Sequence, residues 1–285
     1  MQPFAVVLLN PPGFAHAGAL REVAENMRHS LAAQGPDCIF LENTFAGDRL
    51  NLVFAGHLLP CFEGWDAHGS DHIVLFNLEQ IRDSLFEQAP HYLALLRRCR
   101  VWDYDARNAA ALAHLGVSRI DHVRIGYAEV LTRISPARTQ DIDVLFYGSP
   151  TPRRLALRDE LGRRKLATHF AFGVYGPERD ALIARAKVMV NPGTFGSGGI
   201  FDMVRLSYLL ANRKAVVMES GIDAAQEREF DDGVAFAPYA ELAAECSYLC
   251  AVEAERHALE MRGFELFSGM PQGSYLAPVL ARLGQ

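Results

Sequence analysis

Lysine is nearly missing from this 285-residue chain: of 28 basic residues only Lys165, Lys187 and Lys214 are lysines. The formal net charge is −6, so no overall positive field exists to draw the chain onto DNA or RNA, and nucleic acid is excluded as a first partner. No run approaches the roughly 18 apolar residues that a membrane-crossing helix needs, and no basic stretch precedes the first apolar run. A cytoplasmic protein is expected, with peripheral membrane contact left open. Cysteine is sparse and odd in number (Cys38, Cys61, Cys99, Cys246, Cys250), which argues against a disulfide framework and for reduced thiols. Cys246 and Cys250 stand one helical turn apart, but no nearby Cys or His completes a zinc set. The GK[ST] of a P-loop, the GxGxxG dinucleotide fingerprint and the GxSxG nucleophile elbow are all absent.

What is present is a globular composition, 50% hydrophobic and 22% charged, at a length that favours two cores over one. Apolar runs at 4–9, 38–41, 52–55, 73–76 and 101–102 alternate with helical stretches at 19–33, 80–87, 92–98 and 106–115. The alternation halts at the polar segment 133–140 around Pro136 and restarts at 144–147. Strands are then expected at 169–174, 188–191, 215–218 and 234–236, with helices at 153–164, 178–185 and 201–211 between them. From about residue 239 the chain reads as helical, broken near 269–273. Strand-helix alternation of this kind gives parallel sheets covered by helices on both faces. The fold class is therefore α/β, with two doubly wound, Rossmann-like lobes in tandem and a helical C-terminal segment.

In open parallel sheets, ligands bind beyond the carboxyl ends of the strands. After the strand at 144–147 come Gly148, Ser149 and Pro150, then Arg153 and Arg154 at a helix start. Glycine permits close approach, free N–H groups favour an anion, and arginine offers a bidentate phosphate donor. A plain Gly-Ser turn with two solvated arginines fits the same residues. After the strand at 188–191 comes a glycine-rich loop, 192–199, ahead of a helix bearing Asp202 and Arg205 three residues apart on one face. A carboxylate there can accept from ribose hydroxyls while the arginine balances it or reaches a phosphate.

The run 143–219, with its Gly-Ser loop and arginines, its helix at 181–186 before a strand ending at Asn191, its acid-plus-Arg205 helix and its strand ending at Glu219, resembles the donor lobe of bacterial GT-B glycosyltransferases in their group-1-like branch. The segments Asn77-Leu78-Glu79-Gln80, Val101-Trp102-Asp103-Tyr104-Asp105 with Asn108, and Ile125-Gly126-Tyr127 are similar to the acceptor lobe of the same family. The resemblance implies an acceptor-side lobe over 1–138, a donor lobe over 139–262 and a C-terminal helix within 263–285 packing back on the first lobe. It also implies an enzyme, a hexosyltransferase-like glycosyltransferase of polysaccharide biosynthesis, moving a sugar from a nucleotide-sugar to a glycan, lipid-linked or other acceptor. The nucleotide-sugar is a co-substrate, and neither a cofactor nor a metal is implied. Carried over residue by residue, donor contacts fall on Gly148, Ser149, Arg153, Tyr175, Gly176, Asn191, Asp202, Arg205 and Glu219.

Two departures stand out: the family's histidine-containing segment after the Asn191 strand is replaced by the glycine-rich loop, and the helix acid is Asp202 where the family usually has Glu. They keep a second reading open, a non-catalytic module that binds a glycan or a nucleotide. For a catalytic base, His16 stands in the loop after the first strand, with His57 and Asp71 also near strand ends. Two Asp-x-Asp triplets are present. Asp141/Asp143 precedes its strand, at the wrong sheet edge for a donor site, and Asp105 is placed as a helix N-cap. Phe14, Trp65 and Trp102 are candidates for stacking on a sugar, or for packing.

Overall fold

A computed structural model describes residues 2–65, 69–194 and 199–283. Phe195, Gly196, Ser197 and Gly198, the middle of the expected glycine-rich loop, lie outside the described residues. The chain divides into two compact units, Met1–Val130 with Pro271–Gln285, and Leu131–Met270.

The first unit runs β1 (Phe4–Leu8), α1 (Arg21–Ala33), β2 (Cys38–Glu42), β3 (Leu50–Phe54), β4 (Ile73–Asn77), α2 (Asp83–Gln88), α3 (Pro90–Arg98), β5 (Arg100–Asp103), α4 (Ala106–His114) and β6 (Ile120–His122). Its strands pair in the order β2-β1-β3-β4-β5-β6, all parallel. Every residue of β1, β3 and β4 is buried, as a sheet covered on both faces requires, and this is why these strands are apolar without alternation apart from the buried Asn51 and Asn77.

The second unit runs β7 (Ile142–Tyr147), α5 (Pro152–Arg163), β8 (Thr168–Ala171), α6 (Gly176–Arg185), β9 (Ala186–Asn191), α7 (Met203–Ala211), β10 (Ala215–Glu219), α8 (Ala224–Phe230), β11 (Ala235–Ala237), α9 (Leu242–Ala251) and α10 (Glu253–Ser268). Its sheet is β11-β10-β9-β7-β8, again parallel. Proline stands in the first turn of α5 and of α6, where its missing N–H is not needed, and Thr151 caps α5 by accepting from the Arg154 N–H at 3.3 Å. α10 reaches the sheet side through glycine: a Cβ on Gly263 would lie 2.7 Å from the Gly233 carbonyl oxygen and 2.9 Å from Leu210 Cδ2.

The break between units falls at 130/131, earlier than the expected 138, because 131–140 is strapped to the second unit. Asn212 Nδ2 donates to the Leu131 carbonyl at 2.8 Å, and its Oδ1 accepts from the N–H groups of Arg133 and Ile134. The return falls at 270/271 where 262 was expected, because α10 continues to Ser268 inside the second unit. The last helix, α11 (Gln272–Leu283), belongs to the first unit. Gln272 fixes it there, its side chain accepting from Asn26 Nδ2 at 3.2 Å and from the Gly126 N–H at 2.7 Å while donating to the Arg124 carbonyl at 2.9 Å. Among the described residues no helix is long and apolar enough to cross a membrane.

Candidate functional site

In the second unit, the chain leaves β7 for β8 on one side and then crosses from β8 to β9 on the other side of β7, and the crevice beyond the carboxyl ends of β7 and β9 is where such a sheet binds ligands. Three predicted residues stand at this edge: Gly148 follows β7, Asn191 ends β9 and Glu219 ends β10. Asn191 and Glu219 are both buried.

Around them the structure gathers arginines. Arg205 Nη1 donates to Asn191 Oδ1 and to Asp202 Oδ2, the latter at 2.5 Å. Asp202 is the N-cap of α7, one step outside the helix where it was expected, and its Oδ1 accepts the Arg205 N–H at 3.2 Å. The shorter acid is therefore engaged twice by the residue it was expected to accompany. Arg153 Nη2 donates to Glu219 Oε1 at 2.5 Å, and its guanidinium lies 4.2 Å above the Tyr239 ring. The other Glu219 oxygen accepts the Gly193 N–H at 2.9 Å, tying the strand-end acid to the first described residues of the glycine-rich loop.

Arg154 is more deeply placed than Arg153. It is 4% exposed, donates to the Ser149 carbonyl at 2.8 Å and to Thr194 Oγ1 at 2.7 Å, and lies 4.7 Å from the centre of the Phe146 ring. Burial, reinforced by the neighbouring Arg205 charge, pulls its pKa down to about 10. The Nε atoms of Arg153, Arg154 and Arg205 are buried and find no hydrogen-bond partner among the described residues. Three guanidiniums thus face the two carboxylates of Asp202 and Glu219, so the edge carries excess positive charge in a low-dielectric setting, which is an environment for an anion.

Gly148 lies in this crowd with φ +144°, and a Cβ there would stand 2.8 Å from Arg205 Nη2 and 3.1 Å from Phe146 Cζ. Only glycine keeps that approach free of strain. Ser149 contributes its carbonyl to Arg154. Tyr175 is the N-cap of α6 and Gly176 opens the helix with φ +57°. Burial pushes the Tyr175 phenol up against the opposing pull of Arg179 and Arg205, which puts Tyr175 in the field of the same arginines. Arg179 itself is buried, pairs with Asp180 at 2.8 Å and lies 4.5 Å from the Tyr208 ring. The depth of Arg154, the presence of Arg179 and the stacking of Tyr239 escape sequence reasoning, since each looks like an ordinary polar residue of a helix or turn.

The first unit has the same kind of crevice, between β1 and β3. His16 is exposed on a short 3₁₀ turn, Ala15–Leu20, with its ring 5.6 Å from that of Phe14. Phe14 in turn lies 5.8 Å from the His57 ring, and His57 Nδ1 is 3.5 Å from Glu79 Oε1. Trp102 is fully buried in the core, and Trp65 packs at its margin under Arg98. Asp105 caps α4 by accepting from the N–H groups of Arg107 and Asn108. Asp103 accepts from Asn77 Nδ2 at 2.6 Å, while Asp141 and Asp143 pair with Arg185 and Lys187. Among the described residues no group of three or more His, Cys, Asp or Glu is arranged to hold a metal.

No family model matches the chain. The uncharacterized protein L140 of Acanthamoeba polyphaga mimivirus is 24% identical over 173 residues, 58% of this chain and 55% of that protein. Among solved structures, HepE of Anabaena in complex with UDP-glucose matches with a TM-score of 0.61 at 13% identity, over 99% of this chain and all of HepE. WaaG, a glycosyltransferase involved in lipopolysaccharide biosynthesis, matches with a TM-score of 0.56 at 14% identity, over 95% of this chain and 98% of WaaG. TarM matches with a TM-score of 0.58 at 10% identity over 83% of this chain. The chain spans 55% of the length of TarM, as it does of L140. At such identities the likeness is one of fold, and the fold is the GT-B arrangement that the residues at 143–219 resemble.

Proposed function

We propose that this protein is a glycosyltransferase that uses a nucleotide-sugar donor, holding the donor's diphosphate at the carboxyl edge of the second sheet. One observation carries the reading: Arg153, Arg154 and Arg205 converge at the ends of β7, β9 and β10, two of them so close that burial and mutual repulsion depress the Arg154 pKa to about 10. A diphosphate relieves that repulsion and accepts from the unpartnered Nε groups. The complex of HepE with UDP-glucose supports a UDP-sugar as the first donor to try.

Within this reading Arg154 and Arg205 neutralise the diphosphate, with Asn191 and Asp202 fixing the Arg205 guanidinium. Gly148 and Ser149 let the backbone approach it, and the start of α6, at Tyr175 and Gly176, adds N–H donors. Glu219 accepts from a ribose hydroxyl, Arg153 sharing it as its counter-charge. In the transfer, a bond forms between the acceptor oxygen and the anomeric carbon, and the bond from that carbon to the diphosphate oxygen breaks. The electron pair leaves with the nucleoside diphosphate, where the arginines stabilise it, and His16 takes the acceptor proton. The arginines supply the positive charge that the departing diphosphate needs, so the reading assigns no step to a metal. A glycan or lipid-linked acceptor, polysaccharide biosynthesis in a bacterium and a cytoplasmic setting belong to the same reading. The last is supported by five free thiols.

The test is release of nucleoside diphosphate from UDP-, GDP-, ADP- and dTDP-sugars, and of CMP from CMP-sugars, by the full chain and by Arg205→Ala. Loss of a donor-side charge in a buried site lowers turnover by about a hundredfold or more. If Arg205→Ala turned over donor at the wild-type rate, the assignment of this edge would be wrong.

A further inference from the structure

At the amino-terminal edge of the second sheet lies a cavity of about 460 Å³ that the proposed transfer does not use. Three elements line it: the strap 136–140, the start of β9, and the turn from α9 into α10. Each brings a cation, Arg138, Lys187 and Arg256 respectively. Along β9, Lys187 precedes Asn191 by about 13 Å of strand, so this edge and the carboxyl edge are separate places for a ligand.

The three cations are positioned from outside the cavity. The Ala137 N–H donates to the Ala184 carbonyl at 3.0 Å and Gln140 Nε2 donates to the Ala186 carbonyl at 3.0 Å, which pins the strap on either side of Arg138. Arg138 itself is exposed and makes no hydrogen bond or ion pair among the described residues. Lys187 is held by Asp143 Oδ1 at 2.7 Å. Arg256 is 4% exposed, and its Nη1 donates to the carbonyls of Leu249 and Cys250 at 3.1 and 3.4 Å, closing the end of α9. Its Nε finds no hydrogen-bond partner among the described residues, and its Nη2 lies 3.7 Å from Glu253 Oε1, beyond a hydrogen bond. Nε and Nη2 form the side of a guanidinium that grips a phosphate through two parallel bonds, and in Arg256 this is the side left unengaged.

The carboxylates of the lining are already engaged. Glu260 Oε2 lies 2.7 Å from His257 Nδ1, and Glu253 Oε1 lies 3.2 Å from His257 Nε2. The hydrogen bond to Glu260, with that to Glu253 adding, raises the His257 pKa against the effect of burial, so the imidazole keeps its proton and both acids more firmly. Lys214 adds to the positive side: it is buried, and its Nζ donates to the Ala186 carbonyl at 2.5 Å. Burial pulls its pKa down to about 8, with Glu260 opposing and the Arg256 charge adding. With Asp143 given to Lys187 and the two glutamates to His257, Arg138 and Arg256 keep most of their charge uncompensated. We propose that this cavity is a second anion site, holding the phosphate group of a small phosphorylated ligand between Arg138, Lys187 and the Nε–Nη2 side of Arg256.

The arrangement of donors selects this class. A phosphate carries up to two negative charges on oxygens set tetrahedrally, so it accepts from three elements that converge from different directions. A carboxylate is planar, has two oxygens and carries one charge, and it leaves part of this donor set unmet. The volume is within the range of small-molecule pockets, with room for more than the phosphate group alone. A free orthophosphate and a phosphorylated sugar present the same group, and titration separates them. The site stands on this geometry and does not depend on the transfer reading.

The experiment titrates the full chain with inorganic phosphate, glucose 6-phosphate and acetate, by ligand-observed NMR, for wild type, Arg138→Gln, Lys187→Gln and Arg205→Ala. UDP binding is followed in parallel. Arg138 is exposed, so its variant is expected to keep the wild-type Tm, and a loss of affinity in it is not a loss of fold. At least one of the two phosphates is expected to bind wild type more tightly than acetate does. Its affinity is expected to fall about tenfold in Arg138→Gln and in Lys187→Gln, and to stay unchanged in Arg205→Ala. UDP is expected to behave in the opposite way, weakened by Arg205→Ala alone. Tighter binding of glucose 6-phosphate supports a phosphorylated sugar as occupant, and tighter binding of inorganic phosphate supports the free ion. No phosphate bound by wild type, equal phosphate affinity in wild type and both amino-edge variants, or acetate bound as tightly as the phosphates overturns the inference. Phosphate affinity lowered by Arg138→Gln in a chain that binds no nucleotide supports this site and overturns the donor reading.

Discussion

Arg154→Met separates a binding role from a structural one. In the free protein Arg154 gives three hydrogen bonds, to the Ser149 carbonyl, to Thr194 Oγ1 and, at 3.5 Å, to the Pro192 carbonyl, together worth about 2–4 kcal/mol net. Against them stands the cost of keeping a guanidinium charged when burial and Arg205 bring its pKa down to about 10, which is about 3 kcal/mol. The two contributions nearly cancel. Methionine fills much of the same volume against the Phe146 ring, so the variant is expected within about 1 kcal/mol of wild type, or about 3 °C in Tm. Its affinity for a nucleoside diphosphate falls at least about thirtyfold, because a buried charge-assisted phosphate contact is worth about 2 kcal/mol or more. Differential scanning calorimetry and isothermal titration with UDP and GDP read the two quantities separately. A Tm lower by 10 °C or more with no change in nucleotide affinity would refute the reasoning and make Arg154 a structural residue.

Two further outcomes follow from the same geometry. Gly263→Ala drives a methyl into the Gly233 backbone at 2.7 Å and against Leu210 at 2.9 Å, so it is expected to destabilise the second unit by about 2–3 kcal/mol, measured as a lower urea midpoint, with the first unit's spectroscopic signals unchanged. Asp103 is buried with its pKa raised from 3.8 to about 7, chiefly by burial. The folded state therefore holds a proton that the unfolded chain releases, the stabilisation is full below about pH 4, and it is lost as pH rises to about 7. Urea unfolding between pH 4 and 7 is expected to show this decline, and Asp103→Asn is expected to flatten it.

Much of the architecture was legible because buried parallel strands advertise themselves. FAVVL, IVLFN and AVVME are apolar runs bounded by loops, and they form β1, β4 and β10 with ends shifted by a residue or two. β6 and α8 were not legible. The first is three residues, Ile-Asp-His, at a sheet edge, and the second, AAQEREF, is a polar helix with one buried residue. The donor-edge residues followed from strand ends and loops, a rule of topology that a sequence carries. Which of two adjacent arginines turns inward is not carried by sequence, because consecutive helical positions point about 100° apart and only packing selects between them. Arg153 ends on Tyr239 and Glu219, Arg154 on Ser149 and Thr194.

The central claim, that the carboxyl edge of the second sheet binds a nucleoside diphosphate through arginines, meets its most direct test in thermal unfolding of the full chain with UDP, GDP, ADP, CMP and dTDP, each with and without EDTA. A ligand at a hundred times its Kd adds about 2.7 kcal/mol to the folded state, so one nucleotide is expected to raise Tm by about 5–10 °C. The rise is expected to be the same in EDTA. No rise with any nucleotide at millimolar concentration would contradict the account, and a rise abolished by EDTA would transfer the role of the arginines to a metal.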